Sequence, residues 1–324
     1  MRIFVTGGTG FIGGVVVRRL RERLEDVVAL VRRPAAAAGL EGLGATLLEG
    51  DLDDAGALRR GVEGADAVIH GAAVFRVGIP KAERERVHTI NVAGTERVLD
   101  AAIEAGVPRI VYVSTVNVFG NTHGRVVDEA YHRDLAAGFL SCYDQTKYLA
   151  HVAAEERIAR GAPIIIVQPG GVYGPGDHSD IGSQIDKARQ GKLPFLAFGS
   201  TGMVMVHVED VAAGIVLALD KGALGRTYIL GGEVTTLKRV VGTAAELAGK
   251  KPPRLTMPGW AVKAGIPFGP VLARVMDTEP NLRELVKAAD GVTYWASDRR
   301  AREELGYAPR DLRTGLQELV AAAR

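Results

Sequence analysis

A tyrosine and a lysine stand four residues apart, Tyr143 and Lys147, at the start of an alanine-rich segment predicted to be helical to about Ala159. This spacing places two side chains on one face of a helix. A phenol, with a reference pKa of about 10, is a poor acid or base at neutral pH, and a nearby ammonium favours its phenolate. We therefore predict proton transfer by Tyr143, with Lys147 lowering the tyrosine pKa or binding ribose hydroxyls. A tyrosine and a lysine at this spacing are common by chance, so the surrounding motifs must show whether the pair is functional.

Three polar residues upstream are candidates for the same site. Ser114 and Thr115 end a predicted strand, where a hydroxyl can hydrogen-bond a substrate oxygen beside Tyr143 or cap a turn. Asn91 lies on a predicted helix, and its amide could hold backbone or a water in a proton path. That helix has an apolar stripe formed by Val87, Ile90, Gly94 and Val98. Catalytic and structural interpretations of these three residues stay open.

A glycine-rich turn follows the first predicted strand and precedes a helical run from Val15 to Leu24. Gly8, Gly10 and Gly13 satisfy the G-x-G-x-x-G fingerprint, in which glycines allow a tight turn and a close approach to pyrophosphate. The following helix N-terminus supplies N–H donors and the positive end of a dipole. The turn predicts dinucleotide binding through Gly7, Gly8, Thr9, Gly10, Phe11, Ile12 and Gly13.

The ends of the next strands bear on the choice of cofactor. An NAD site usually ends its second strand in a carboxylate, whereas Val27 to Val31 is followed by Arg32 and Arg33. Guanidinium groups suit a 2′-phosphate, which favours NADPH, with NAD as the alternative; two solvated surface arginines are the other interpretation. Further cofactor contacts are predicted after the third and fourth strands, at Asp51, Leu52, Ala72 and Ala73.

The elements that position these residues predict a doubly wound α/β fold. Apolar strands alternate with helices, as expected when helices cover both faces of a parallel sheet. The predicted strands are Arg2 to Val5, Val27 to Val31, Ala45 to Leu48, Ala67 to His70, Ile110 to Val113 and Ile164 to Val167. We assign residues 1–169 to a Rossmann domain to which 207–231 return, through a helix from about Glu209 to Leu219 and a strand at Thr227 to Leu230. Residues 170–206 and 232–324 form a smaller substrate-binding lobe, predicted to be irregular and loop-rich at Gly170 to Gly176 and Lys251 to Pro270.

Composition narrows the class of ligand. The 324 residues include 40 basic and 38 acidic side chains, a net charge of +2 that favours neither nucleic acid nor an anionic membrane. No Cys and His cluster suggests a metal site, and the single cysteine, Cys142, fits a reducing cytoplasm. Neither a signal peptide nor a long apolar span is recognisable. We expect a soluble cytoplasmic protein with small-molecule ligands.

Together these motifs resemble the extended short-chain dehydrogenase/reductase family, including its NAD-dependent epimerase/dehydratase and dihydroflavonol-reductase-like groups. The resemblance spans most of the chain, through Pro169 to Asp177 and His207 to Ala212. It implies Tyr143 as proton donor or acceptor, Lys147 as its partner, Thr115 in the catalytic Ser/Thr place and Ser114 beside nicotinamide. It also implies cofactor contacts at Pro169, Gly170 and Val172, a C-terminal substrate lobe, and a homodimer through the helices carrying Asn91 and Tyr143.

Two departures from the pattern bear on the substrate. Nucleotide-sugar members typically have Arg-Pro and then Asn where this chain has Gln168-Pro169-Gly170-Gly171, and an arginine where it has Met203-Val204-Met205-Val206. An apolar pocket suits a ketone or aldehyde better than a sugar nucleotide. Substrate contacts are predicted at Phe75, Asn117, Tyr143, Tyr173, His178, Met203 and Trp260, although aromatic and Met side chains are most often packing residues.

Three functions are therefore distinguished. The first is hydride transfer between NADPH and a carbonyl or secondary alcohol, which consumes cofactor. The second is epimerisation or dehydration of a nucleotide sugar, in which the cofactor is regenerated within each cycle. The third is a non-catalytic NADP sensor, against which the complete set of Tyr143, Lys147 and Thr115 argues.

Overall fold

The structure, a computed structural model, describes residues 1–253, 255–257 and 281–321. The predicted substrate contact Trp260 lies outside the described residues. The strands in chain order are β1 Arg2–Thr6, β2 Asp26–Val31, β3 Thr46–Glu49, β4 Ala67–His70, β5 Ile110–Val113, β6 Ile164–Pro169, β7 Gly171–Tyr173, β8 Phe195–Ala197, β9 Gly202–His207, β10 Thr227–Leu230, β11 Glu233–Thr236 and β12 Leu255–Met257. The helices are α1 Phe11–Glu22, α2 Ala38–Gly42, α3 Ala55–Val62, α4 Arg84–His88, α5 Gly94–Glu104, α6 Cys142–Ala159, α7 Asp180–Arg189, α8 Val208–Lys221, α9 Leu237–Leu247, α10 Leu282–Ala289 and α11 Leu312–Ala321.

Seven parallel strands form the central sheet, in the order β10-β6-β5-β4-β1-β2-β3. This order reverses direction between β1 and β4, the topological switch point at which doubly wound sheets bind ligands. The predicted fold class is confirmed. Each of the seven predicted strands forms within a residue or two of its expected bounds, and the predicted helix after Glu209 is α8.

Helices cover both faces of the sheet, which explains why its strands read as continuous apolar runs. One face packs against α1 and α8 through residues such as Val17, Leu20 and Ile215, all fully buried. The other packs against α3, α5 and α6 through Leu58, Leu99 and Ala154. Within the described part of the chain, no helix is both long and apolar enough to cross a bilayer.

The region beyond β6 is more regular than predicted. A second sheet has the order β11-β9-β7, with β7 parallel and β11 antiparallel to β9, and β8 pairs with β12. The expectation of loops was therefore wrong for Gly171–Tyr173 and Leu255–Met257, which form β7 and β12, while most of the predicted loop from Lys251 to Pro270 lies outside the described residues. These strands are short, three to six residues, so each buries too little surface to leave a clear apolar run in the sequence.

Part of the predicted substrate lobe packs on the central sheet. Ala301, Leu305 and Tyr307 belong to the same buried cluster as β1 and α8. Tyr307 donates a hydrogen bond to the carbonyl oxygen of Gly231, 2.8 Å away, just beyond β10. The domain boundaries given above stay a prediction, with this segment contributing to both regions.

Candidate active site

The glycine turn is shaped by contacts that leave no room for side chains. Gly7 has a φ of 80°, and a Cβ there would lie 2.6 Å from the backbone nitrogen of Ala72. A Cβ at Gly13 would lie 2.0 Å from the carbonyl oxygen of Gly7. Glycine is therefore required where the turn meets the loop after β4 and where α1 packs on the turn.

Helix α1 starts at Phe11, earlier than the predicted start at Val15. Its N-cap is Gly10, which offers no capping side chain, and its first turn contains no acidic residue. The N–H groups of this turn are thus available to an anion at the positive end of the helix dipole. These features are the ones that a pyrophosphate-binding turn requires.

Candidate cofactor contacts lie along one edge of the central sheet because the carboxyl ends of parallel strands share an edge. Arg32 and Arg33 are exposed just beyond β2, and neither guanidinium contacts another described residue. Asp51 is exposed just beyond β3, where its Oδ1 accepts a hydrogen bond from the Leu52 backbone at 2.7 Å. It does not cap the next helix, because Asp54 caps α3. Across the sheet, Pro169 ends β6 at the same edge, and Gly170 and Val172 follow it.

Helix α6 carries the predicted proton-transfer pair and is anchored at its first turn. Ser141 caps the helix by accepting a hydrogen bond from the Asp144 backbone. The Asp144 carboxylate, 1% exposed, receives two hydrogen bonds from Arg133 at 2.5 and 3.1 Å. Arg133 also donates to the carbonyl oxygens of Val118 and Gly138. This buried ion pair fixes the loop after β5 against the turn that presents Tyr143.

Tyr143 is buried in a small apolar cluster with Ile79 and Val87. The exposed ring of Phe75 stands edge-on to the tyrosine ring, with 4.9 Å between centroids. Burial raises the pKa of Tyr143, and the polar influence of the Thr115 hydroxyl acts in the opposite direction. The phenol is therefore held in its protonated, proton-donating form.

Lys147 is buried on the same helix face. Its Nζ donates to Tyr112 Oη at 3.2 Å and to the Val113 carbonyl oxygen at 3.0 Å. Burial lowers the pKa of Lys147 to about 7. The expectation that Lys147 lowers the pKa of Tyr143 is not met, because burial dominates the tyrosine. A lysine with a pKa near neutrality can instead exchange a proton under physiological conditions.

The two hydroxyls after β5 have different partners. Thr115 caps the helical turn Val116–Phe119, accepting a hydrogen bond from the Asn117 backbone at 3.2 Å. Its Oγ1 donates to the Asn117 side chain at 3.3 Å. Ser114 Oγ lies 3.0 Å from His151 Nδ1 on α6. Thr115 is thus engaged with Asn117, whereas Ser114 contacts α6 through His151.

Asn91 lies in a π-helical turn, Thr89–Ala93, that joins α4 to α5, rather than in the regular helix expected from the apolar stripe. Its side chain accepts a hydrogen bond from the Val74 backbone and donates to the Val74 carbonyl and to Thr146 Oγ1. The amide thereby connects the loop after β4, which carries Phe75, to α6. A structural function is sufficient to explain these contacts, and a direct catalytic role stays a prediction.

The remaining substrate candidates differ in their surroundings. Tyr173 is 1% exposed and donates to the Leu312 carbonyl at 3.4 Å, so packing accounts for it. Met203 lies partly buried between two apolar clusters of the second region. His178 is exposed beside a cleft of about 220 Å³, and Asn117 is engaged with Thr115. Phe75 is the candidate that contacts Tyr143 directly.

Two polar residues of the site were missed in the sequence. Tyr112 lies in β5, two residues before Ser114, which directly follows the strand, and His151 lies one helical turn beyond Lys147. Both spacings place them on the faces already identified, which is the signal that could have revealed them. Among the described residues, no group of three His, Cys, Asp or Glu side chains could hold a metal ion.

Comparison with known proteins yields related enzymes. Residues 3–231 match the family model described as the NAD dependent epimerase/dehydratase family. A Synechocystis sp. protein named as a candidate dihydroflavonol 4-reductase is 34% identical over 264 residues, 79% of this chain and 75% of that protein. A Stigmatella aurantiaca protein named 4-hydroxy-2-methyl-3-oxo-4-farnesyl-3,4-dihydroquinoline-1-oxide ketoreductase is 32% identical over 315 residues, 96% of this chain and 92% of that protein. Among solved structures, a double mutant of the dTDP-glucose 4,6-dehydratase DesIV from Streptomyces venezuelae, with NAD and DAU bound, has 27% identity and a TM-score of 0.80, covering 99% of this chain and 96% of that one.

Proposed function

The chain belongs to the NAD dependent epimerase/dehydratase family, within the extended short-chain dehydrogenases/reductases, and from this premise we propose that it reduces a largely apolar ketone or aldehyde with NADPH. The protein is an NAD(P)H-dependent oxidoreductase acting between a carbonyl and a secondary alcohol, as its named reductase relatives are. The observation that carries the proposal is a buried Tyr143 in contact with Phe75, in the loop that follows β4, a strand at the switch point of the sheet. The bound cofactor supplies the hydride.

Each residue of the site then has a defined task. Tyr143 gives its phenolic proton to the oxygen on which negative charge develops as the hydride arrives. Thr115 orients that oxygen by hydrogen bonding. Lys147 holds ribose hydroxyls through its Nζ, and the glycine turn binds pyrophosphate through backbone N–H groups. Asn91 keeps the Phe75 loop against α6.

The apolar surroundings of Tyr143 favour this substrate class. Phe75 presents a side chain that is 59% exposed directly beside the proton donor. Within β9, the residues from Met203 to Val206 are apolar where nucleotide-sugar members have an arginine that would grip a diphosphate. An aromatic or alkyl ketone can cover the Phe75 ring, whereas a sugar diphosphate would need cations there.

Epimerisation or dehydration of a nucleotide sugar is the second candidate, favoured by the structural likeness to DesIV. The two functions differ in cofactor balance. We would incubate the purified protein with NADPH and, separately, an aromatic ketone, a medium-chain 3-oxo ester and a dTDP-hexose. Loss of one NADPH per alcohol formed from a ketone supports the reductase. Conversion of the sugar without net cofactor loss supports the second candidate, and binding of NADPH without either reaction supports a sensor.

The preference for NADPH rests on the arginines after β2. Arg32→Ala or Arg33→Ala should weaken NADPH binding by about 10- to 100-fold, the value of a charge-assisted hydrogen bond. Binding of NADH should stay unchanged, because it has no 2′-phosphate. Fluorescence titration of both nucleotides measures this, with Arg160→Ala, at the opposite edge of the sheet, as the matched control. If binding of NADPH and NADH is weakened equally, or if neither is weakened, the two arginines do not bind the 2′-phosphate.

The assembly and compartment implied by sequence remain part of the proposal. We expect a cytoplasmic homodimer formed through α5 and α6, the helices next to Asn91 and carrying Tyr143. Sedimentation of the purified protein tests the dimer, and a monomer at micromolar concentration would contradict it.

A further inference from the structure

A buried carboxylate of the predicted substrate-binding lobe lies next to the proposed proton donor. Glu284, in the first turn of α10, is 7% exposed. One of its carboxylate oxygens accepts a hydrogen bond from the backbone N–H of Cys142, the residue directly before Tyr143. The first N–H groups of a helix have no partner within the helix, and the helix dipole favours an anion there. Glu284 therefore provides the start of α6 with a partner from another part of the chain.

The second carboxylate oxygen of Glu284 joins two more segments to the same point. It accepts hydrogen bonds from the guanidinium of Arg84, the first residue of α4, and from the side-chain amide of Asn281, each at 3.2 Å. The Arg84 side chain is 45% exposed, whereas that of Glu284 is 6% exposed. Three donors from three segments thus offset the cost of removing this carboxylate from water.

The residue before α10 also holds the loop that carries Phe75. The backbone N–H of Asn281 donates to the Gly78 carbonyl oxygen at 3.2 Å. On the other side of Phe75, the Asn91 side chain binds both backbone groups of Val74. Phe75 therefore lies in a short segment that is fixed at Val74 and at Gly78, and the second of these contacts comes from the predicted substrate-binding lobe.

The contacts of Glu284 act on Tyr143 from two sides. The hydrogen bond from Cys142 fixes the backbone that carries the Tyr143 ring. The ion pair with Arg84 fixes the start of α4, and Val87 of this helix packs against the ring. One carboxylate therefore holds both the tyrosine and part of the apolar cluster around it.

We propose that Glu284 is a positioning residue of the reductase, through which the substrate-binding lobe holds Tyr143 and Phe75 at the spacing that the ketone requires. The centroids of the two rings are 4.9 Å apart. Proton donation requires heavy atoms within about 2.6–3.2 Å of each other, and a misplacement of about 1 Å costs up to about 100-fold in rate. A ketone that covers Phe75 therefore presents its oxygen to Tyr143 only while both rings are held. This inference rests on the proposed reductase function.

A purely structural role of Glu284 predicts a different result. Loss of its contacts would then lower Tm and the amount of folded protein, but each folded molecule would keep its kcat and KM. A positioning role changes both constants in folded protein. It also changes KM only for a ketone large enough to contact Phe75 and Tyr143 together.

The test compares three variants of this cluster with a matched control. Glu284→Ala removes all three contacts, whereas Glu284→Gln keeps an oxygen that can accept from Cys142. Arg84→Met removes only the ion pair. The control is Glu318→Ala, because Glu318 is a half-exposed carboxylate of the same lobe that is paired with Arg310. Tm, NADPH affinity, kcat and KM are measured with an aromatic ketone and with butanone, and rates are expressed per NADPH-binding site.

We expect Glu284→Ala to lower kcat at least about tenfold for both ketones, as for a misplaced proton donor. KM should rise for the aromatic ketone alone, and NADPH affinity should stay unchanged. Glu284→Gln should restore most of kcat. In Glu284→Gln and Arg84→Met, KM for the aromatic ketone should rise about two- to fivefold, the value of a partly exposed ion pair. Glu318→Ala should behave as the wild type.

Three results would overturn one or both proposals. If the wild type reduces ketones and Glu284→Ala keeps its kcat and KM per binding site, Glu284 is only structural and the reductase stands. If Glu284→Ala does not bind NADPH, the other two variants decide, and an unchanged KM for the aromatic ketone in both shows that the inference is wrong. If the wild type reduces no ketone, the reductase and the positioning role both fall.

Discussion

Tyr143→Phe is expected to lower kcat for ketone reduction by about 10²- to 10⁴-fold, the usual contribution of general acid catalysis. The variant removes only the phenolic oxygen. Its ring keeps the apolar contacts with Ile79 and Val87 and the edge-on contact with Phe75. Cofactor affinity and thermal stability should therefore stay close to wild type, which separates lost proton transfer from lost structure.

Tyr148→Phe is the matched control for this experiment. Tyr148 lies on the same helix, partly buried, with its ring near Phe139 and under the Arg133 guanidinium. Its substitution removes the same atom from a different position and should leave kcat unchanged. Single-turnover and steady-state rates with saturating NADPH measure both variants. Near-normal turnover in Tyr143→Phe would show that Tyr143 is not the proton donor.

Lys147→Met should cost most of the turnover while making the folded protein more stable. The substitution removes the ammonium that contacts Tyr112 and Val113, and with it the proposed ribose contact. Methionine is of similar length and is apolar, so it fills the buried site without the cost of burying charge. We expect kcat to fall by about 10²-fold or more. Tm should rise by a few degrees. In chains somewhat shorter than this one, each kcal/mol added to the free energy of unfolding raises Tm by about 2–4 °C.

The pH dependence of that stability gain identifies its cause. The pKa of Lys147 is lowered from 10.5 to about 7 in the folded protein, so between these values the unfolded chain binds a proton that the folded chain does not. Wild-type stability from this group therefore rises with pH across the window, and the variant lacks the effect. The difference in Tm should be largest at about pH 7 and below and vanish toward pH 10.5. Lys187→Met, at an exposed position on α7, should change neither Tm nor kcat.

Thermal unfolding followed at several pH values, together with steady-state rates, tests the Lys147 prediction. If Lys147→Met has the same Tm as the wild type at neutral pH, or a lower one, burial of the Lys147 ammonium does not destabilise the folded protein. Retained turnover would mean that neither ribose binding nor proton transfer passes through this side chain.

The parallel sheet was predictable because its strands are buried on both faces. A strand such as Ile164 to Val167 must be apolar throughout, and this leaves a signal that needs no knowledge of the partner strands. The second sheet was not predictable in the same way. Its strand β7 is only three residues long, and β11 follows β10 after two glycines, so the sequence reads as a loop.

The start of α1 shows tertiary contacts overriding local preference. Gly13 and Gly14 disfavour a helix, which placed the predicted start at Val15. In the structure Gly13 lies within α1 despite its low helix propensity. Glycine is required at this position because a Cβ would collide with the Gly7 carbonyl. A requirement of packing thus looks, in sequence, like a break in the helix.

The candidate site was predicted in its types of residue but not in its connections. Tyr143, Lys147 and Thr115 follow from spacing and strand ends, whereas the partners of these side chains depend on how α6 docks on β5. That docking gives Lys147 its Tyr112 partner and Ser114 its His151 partner. It also buries Tyr143, so that its pKa rises rather than falls. Burial of this kind depends on distant parts of the chain and has no local signal.

The most direct test of the account follows the hydride itself. NADPH carrying deuterium at the reactive C4 position is incubated with the protein and the ketones named above, and products are analysed by mass spectrometry. We expect one deuterium in each alcohol molecule and one NADPH consumed for each alcohol formed, with alcohol formation about 10²- to 10⁴-fold slower in Tyr143→Phe. Deuterium that stays in the cofactor pool, with products formed but no net NADPH consumed, would contradict the reductase assignment and replace it with internal recycling of the cofactor.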